Sequence, residues 1–181
     1  MTFVIPDFWD AAMCARVRMA MDRGRASCAE IYVDGYRVDE DARRAFDIDV
    51  DDEAVDEVQR AIEATTTRVA QFFRMPLSGE EGPGFLRYAC GGFYRVHRDV
   101  APGWDDGFPR RISVVVFLTT AGVGCEGGSL RLYGGSYGAA ASEALDIPPR
   151  AGMLVAFPSD LPHEVLPVTA GIRDAVVDWF Y

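Results

Sequence analysis

The chain has 181 residues, 49% of them apolar and 25% charged, which is the size and composition of one globular domain and not of a disordered, fibrous or membrane-spanning protein. Its 28 acidic and 18 basic residues leave a formal charge of −10, which argues against nucleic acid, because phosphate-backbone binding needs many basic groups. All 18 basic residues are arginine, which excludes a Schiff-base lysine and the phosphate-binding lysine of a P-loop.

The N-terminus, Met1-Thr-Phe-Val-Ile-Pro-Asp7, lacks the basic and apolar regions of a signal peptide, and no apolar run is long enough for a membrane span. A cytoplasmic location is expected. Cys14, Cys28, Cys90 and Cys125 have no C-x-x-C spacing and read as reduced structural thiols.

A single domain over residues 1–181 with two textures is predicted: a helix-rich support over residues 1–80 and a strand-rich core over 84–181. Pro6 and Asp7 precede Phe8, Met13, Val17 and Met21 at near-helical spacing, and Gly24 follows as a stop. Ala29 to Val33 reads as a strand before Asp34-Gly35. Val55, Val58, Ile62, Thr65, Val69 and Phe72 step by three and four, which predicts one helix that starts behind Asp51, Asp52 and Glu53 and ends before Pro76. The acidic run from Asp47 to Glu53 resembles the start of a calcium loop. Its sixth and twelfth positions, Asp52 and Val58, break that register.

Beyond residue 84, strand-length runs cover 85–88, 93–99, 111–120, 129–132, 144–147, 153–157, 163–168 and 173–181, separated by glycine and proline. Eight strands in this length predict a jelly roll or small barrel, with the helices against one outer face. His97 and Asp99 lie two apart on a predicted strand, so they share a face while Arg98 points away. His163 opens a later strand. Two histidines and one carboxylate on one face of a metal form the site typical of non-haem iron(II) oxygenases. Aspartate is 18 of 181 residues, so a lone His-x-Asp is weak evidence; the context adds that both histidines of the chain are used and that Arg173 follows Ala170-Gly171.

Leu86-Arg-Tyr88, Gly92-Phe-Tyr94, His97-x-Asp99, Arg111 to Leu118, Gly127 to Arg131, Pro149 to Gly152, His163-Glu-Val165 and Gly171-x-Arg173 with Trp179 follow one family's order. Over residues 85–181 the chain resembles the 2-oxoglutarate- and Fe(II)-dependent oxygenases of the prolyl 4-hydroxylase-like branch. The resemblance implies an α+β, mainly β fold: a double-stranded β-helix, or distorted jelly roll, with N-terminal helices packed on one sheet. It implies that His97, Asp99 and His163 ligate Fe(II) and that Arg173 grips the distal carboxylate of 2-oxoglutarate; Tyr88 matches a tyrosine that contacts this cosubstrate, with core packing as its alternative. Tyr94 and Trp179 match aromatics beside the metal, with core packing as the alternative for each, and Arg95 is a candidate for an anionic substrate group. Where many relatives have a tyrosine that assists the arginine, this chain has Phe117, and Ser113 or Thr119 is expected to substitute. Asp99 favours hydroxylation over halogenation, which the wider superfamily performs with a small residue at that position.

The implied activity is O2-dependent hydroxylation of an unactivated C–H bond in a small-molecule, amino-acid-derived or peptide substrate, with release of succinate and CO2. Alternatives are a protein prolyl hydroxylase and a non-catalytic, cupin-like metal-binding module. Residues 100–110 and 133–143 are expected to be lids. No oligomeric state is assigned.

Overall fold

The structure is a computed structural model that describes residues 1–33, 35–100, 109–134 and 144–181. Strand β1 (Phe3–Ile5) leads to helix α1 (Ala11–Arg23), whose N-cap Asp10 accepts a hydrogen bond from the Met13 amide at 2.7 Å. That cap starts the helix after Phe8, three residues past the predicted Pro6-Asp7 entry. Five short strands follow: β2 (Arg25–Cys28), β3 (Ile31–Tyr32), β4 (Tyr36–Arg37), β5 (Arg43–Arg44) and β6 (Phe46–Asp49).

The periodic segment behind Asp51 forms two helices instead of one, α2 (Asp52–Glu63) and α3 (Thr66–Phe73). Asp51 caps α2 through the Ala54 amide at 2.9 Å. The break comes at Thr65, whose hydroxyl donates back to the Ile62 carbonyl at 2.7 Å while its amide bonds to the same oxygen at 2.9 Å. A local side-chain bond of this kind competes with the helical ladder, and apolar spacing does not reveal it.

The core strands are β7 (Gly84–Tyr88), β8 (Phe93–His97), β9 (Ile112–Phe117), β10 (Cys125–Gly127), β11 (Leu130–Tyr133), β12 (Ala144–Ile147), β13 (Leu154–Pro158), β14 (His163–Val165), β15 (Val168–Gly171) and β16 (Arg173–Phe180). They build a seven-stranded sheet in the order β1-β13-β9-β16-β7-β6-β2 and a five-stranded sheet in the order β12-β11-β14-β8-β5, with β10-β15 and β3-β4 as separate pairs. Among the described residues the strands pair with one another antiparallel throughout. This is the mainly β, double-stranded β-helix architecture. The N-terminal half also contributes β1, β2 and β6 to the large sheet and β5 to the small one, so it is less purely a helical support than its composition implies.

Each of the six residues of β9 is buried, because the large sheet is covered on both faces. Val114 and Val116 pack with Val17, Val58 and Ile62 of the helices. Val115 and Phe117 pack with Leu130 and Leu132 of the opposite sheet. No helix among the described residues is long and apolar enough to cross a membrane.

Candidate metal centre and cavity

His97 ends β8 and His163 begins β14, and antiparallel pairing sets the two residues directly opposite one another. Strand β8 ends at His97, not at Asp99, because the Asp99 amide leaves the ladder and donates to the Ser159 carbonyl at 2.9 Å. This turn still brings the carboxylate to both imidazoles: His97 Nε2 lies 3.5 Å from Asp99 Oδ1, and His163 Nε2 lies 3.5 Å from Asp99 Oδ2. One ligand atom from each of the three residues falls within 4.8 Å of the others, and among the described residues this is the one group of three or more that could hold a metal ion.

Surrounding bonds orient the three groups. His97 Nδ1 lies 2.8 Å from the Arg95 carbonyl and His163 Nδ1 lies 2.9 Å from the Leu161 carbonyl. A carbonyl only accepts, so each Nδ1 carries a proton, which leaves Nε2 as the nitrogen that faces Asp99 and serves as ligand in the neutral ring. Asp99 Oδ2 accepts from Ser113 Oγ at 2.6 Å and from Trp179 Nε1 at 2.9 Å. Burial pushes the Asp99 carboxyl up, but His163, His97 and the Ser113 hydroxyl outweigh it and hold the group well below the usual carboxylate range. Burial pushes His163 below its ordinary value despite the opposing pull of Asp99, which favours the neutral, ligating imidazole. The donor set, two imidazole nitrogens and one anionic oxygen with oriented partners, fits ferrous iron.

The triad opens into a cavity of about 290 Å3 that Arg173, Tyr88, Tyr94, Ser113 and Trp179 also line. Arg173 is 2% exposed and sits opposite Tyr88 in the β16–β7 register. Its Nε donates to the Gly128 carbonyl at 2.8 Å. Gly128 has φ +69°, and a Cβ there would come within 2.8 Å of Arg173 Cδ, so only glycine lets the backbone approach this closely. Tyr88 and Phe117 flank the guanidinium, with ring centroids 5.0 and 5.1 Å from Cζ. Among the described residues no carboxylate pairs with Arg173. A buried cation left uncompensated beside a cavity fits an anionic ligand group such as the distal carboxylate of 2-oxoglutarate.

The other expected pocket residues divide. Tyr94 stacks on His97 with centroids 3.5 Å apart, and the Arg43 guanidinium from β5 lies over the Tyr94 ring at 4.8 Å. Ser113 serves Asp99, so it does not replace the missing tyrosine hydroxyl beside Arg173. Thr119 does not line the cavity; its hydroxyl accepts from the Asp174 amide at 3.3 Å. Arg95 is also outside: its Nε donates to the Asp41 carbonyl and its guanidinium lies over Phe93. Arg98, expected to face away, lines the cavity, because strand alternation stops at His97.

Residues 101–108 and 135–143, the greater part of the two expected lids, lie outside the described residues. The cavity wall contains instead Glu30, Ile31, Tyr32 and Tyr36 at the β3–β4 pair, together with Arg43 and Asp47. Nothing in the N-terminal sequence marks these residues. Ser159, whose hydroxyl lies 2.9 Å from Ser113 Oγ and whose carbonyl holds the Asp99 amide, also carries no sequence signal.

A jelly roll with a His-Asp-His cluster and a buried arginine in one cavity defines a non-haem iron oxygenase scaffold. The family model for the 2OG-Fe(II) oxygenase superfamily matches residues 83–181, more than half of the chain. The chain belongs to this family and is a 2-oxoglutarate-dependent dioxygenase that uses Fe(II), 2-oxoglutarate and O2.

Among solved structures, a prolyl-4-hydroxylase from Pseudomonas putida is similar at 26% identity and a TM-score of 0.75, over 99% of this chain and 91% of that one. A prolyl hydroxylase from Trichoplax adhaerens, solved with a hypoxia inducible factor peptide fragment, shares the fold at 21% identity and a TM-score of 0.80, over 99% and 83%. So does a viral collagen prolyl hydroxylase from Paramecium Bursaria Chlorella virus-1, solved with 2OG, at 17% identity and 0.63, over 99% and 94%. No curated protein matches the sequence significantly.

Proposed function

We propose that this dioxygenase hydroxylates an unactivated C–H bond of a small-molecule, amino-acid-derived or peptide substrate, with His97, Asp99 and His163 as the iron ligands. The observation that carries this reading is that the triad and the uncompensated Arg173 line one cavity. When bound, iron with 2-oxoglutarate and O2 supplies the oxidising power, and the keto acid leaves as succinate and CO2.

The chain's own groups position the reactants. The Nδ1–carbonyl bonds keep both imidazoles in the ligating tautomer, and Ser113 and Trp179 hold one carboxylate oxygen of Asp99 while the other stays free to ligate. Arg173 takes the distal carboxylate of the keto acid, Tyr88 stands beside it with a hydroxyl, and Phe117 supplies an apolar wall where a second donor would otherwise be. The retained carboxylate of Asp99 supports hydroxylation over halogenation.

A peptidyl-prolyl substrate is the second reading, supported by the similarity to the Pseudomonas putida prolyl-4-hydroxylase. A succinate-release assay with Fe(II), 2-oxoglutarate and a panel of amino acids and proline-containing peptides tests the assignment. The wild-type protein should release succinate, and Arg173→Gln should raise KM for 2-oxoglutarate at least about tenfold, the loss of one charge-assisted bond. An unchanged KM would contradict the role of Arg173.

A further inference from the structure

Four guanidinium groups line the cavity of a protein whose formal charge is −10. Two are accounted for. Arg173 is assigned to the keto acid, and Arg110 makes a bidentate pair with Glu81 at 2.6 and 2.7 Å while it covers the Trp179 ring. The other two, Arg43 and Arg98, flank the His97 side of the triad.

Arg98 lies between two of the ligands in sequence, and its Nη1 donates to the Asp160 backbone carbonyl. Among the described residues no carboxylate pairs with it. The Arg43 side chain is 12% exposed; its Nη1 donates to the Glu30 backbone carbonyl at 2.8 Å, and its nearest carboxylate, Asp47, stands 3.9 Å away. Its Nε is buried without a partner.

A backbone carbonyl holds Arg98 in place without neutralising it, whereas Arg43 is partly balanced by Asp47. Glu30, the one acidic side chain of the wall besides Asp47 and the iron ligand Asp99, is exposed, and solvent screens it. The charge of Arg98 is therefore left over beside the metal, among the described residues, after the iron ligands, the keto acid's arginine and the Arg43–Asp47 pair have been assigned. A guanidinium matches a carboxylate in shape and charge. The cavity, about 290 Å3, is at the low end for ligand sites and must also seat the keto acid, so only the reacting end of a substrate enters.

We propose that the oxidised substrate carries a carboxylate near the reacting carbon, held by Arg98 with Arg43 behind it. This rests on the oxygenase reading above and narrows its substrate class to carboxylic acids, free amino acids included.

The test uses free and N-acetylated L-amino acids, each paired with its primary carboxamide, and reads succinate release under O2. The Fe(II)–2-oxoglutarate charge-transfer band, recorded without O2, reports cosubstrate binding separately. At least one acid should stimulate turnover, with its amide weaker by about tenfold or more, as for a site that loses its charged partner. Arg98→Gln should bring acid and amide to within about twofold while the band persists, and Arg98→Lys should restore part of the preference. Because Arg43 is largely buried and its loss would also disturb packing, the Arg98 variants carry the test. Amides that match their acids, no response to any acid, or a preference that survives Arg98→Gln would overturn the proposal. A wild-type protein that never forms the band would instead defeat the oxygenase reading, and the proposal with it.

Discussion

Strand β16 presents Arg173, Val177 and Trp179 to the cavity and Asp174, Val176, Asp178 and Phe180 to the helices. Polar groups on the cavity side are held by partners that leave one function open: Arg173 through a single carbonyl, and Asp99 through one oxygen that takes bonds from Ser113 and Trp179. Polar groups on the helix side are closed. Asp174 takes a bidentate contact from Arg87 at 2.7 and 2.9 Å and a third bond from Arg18 of α1 at 3.1 Å. The alternation of one strand thus separates ligand binding from stability, and substitutions on the two sides should fail differently.

The largest effect is expected on the cavity side. His97→Ala should lower turnover by about a thousandfold or more, since the metal loses a ligand, yet shift the apo-protein Tm by less than about 4 °C. A parallel collapse of stability, read by thermal unfolding, would break the separation.

Asp174→Ala should do the reverse. It strips a buried carboxylate from two arginines and should cost about 3–5 kcal/mol in denaturant unfolding, while turnover per folded molecule stays within a few-fold.

Asp178 sharpens the contrast, because it is closed off without being neutralised. Its Oδ1 accepts from the Trp179 amide at 2.7 Å and the Gly82 amide at 3.1 Å, and its buried Oδ2 has no partner. Burial, aided by Glu80 and Glu81 against those two amides, raises the carboxyl from 3.8 to about 7. Between those values the folded state binds more protons than the unfolded one, so this contribution to stability is full below about pH 4 and is lost as pH rises to about 7. The change is on the order of 4 kcal/mol. Asp178→Asn should flatten that part of the pH–stability profile, and an unaltered slope would remove Asp178 as its source.

What could be read from sequence follows the range of the interactions involved. The strand half was legible because β9 and β13 are nearly continuous apolar runs, and β16 is a strand-length run around Ala175-Val-Val177 and Trp179-Phe180, with glycine and proline between the runs. The ligands were legible because the chain has only two histidines. Arg43 was not: its contact with Tyr94 arises from the two-residue β5–β8 pairing across some fifty residues of chain, which leaves no periodic trace. The orientation of Arg98 was missed because alternation holds only while the ladder continues, and β8 ends one residue earlier. Residue type suggested hydroxyls at Ser113 and Thr119, but their partners, Asp99 and the Asp174 amide, place one in support of the metal and engage the other with backbone outside the cavity lining.

The central claim is that His97, Asp99 and His163 form one ferrous site, and the most direct measurement is anaerobic titration of the apo-protein with Fe(II) in the presence of 2-oxoglutarate. One equivalent of iron should develop the visible metal-to-ligand charge-transfer band, and Asp99→Ala and His163→Ala should each abolish or severely weaken it. A band of wild-type strength in both variants, or none in the wild-type protein, would contradict the account.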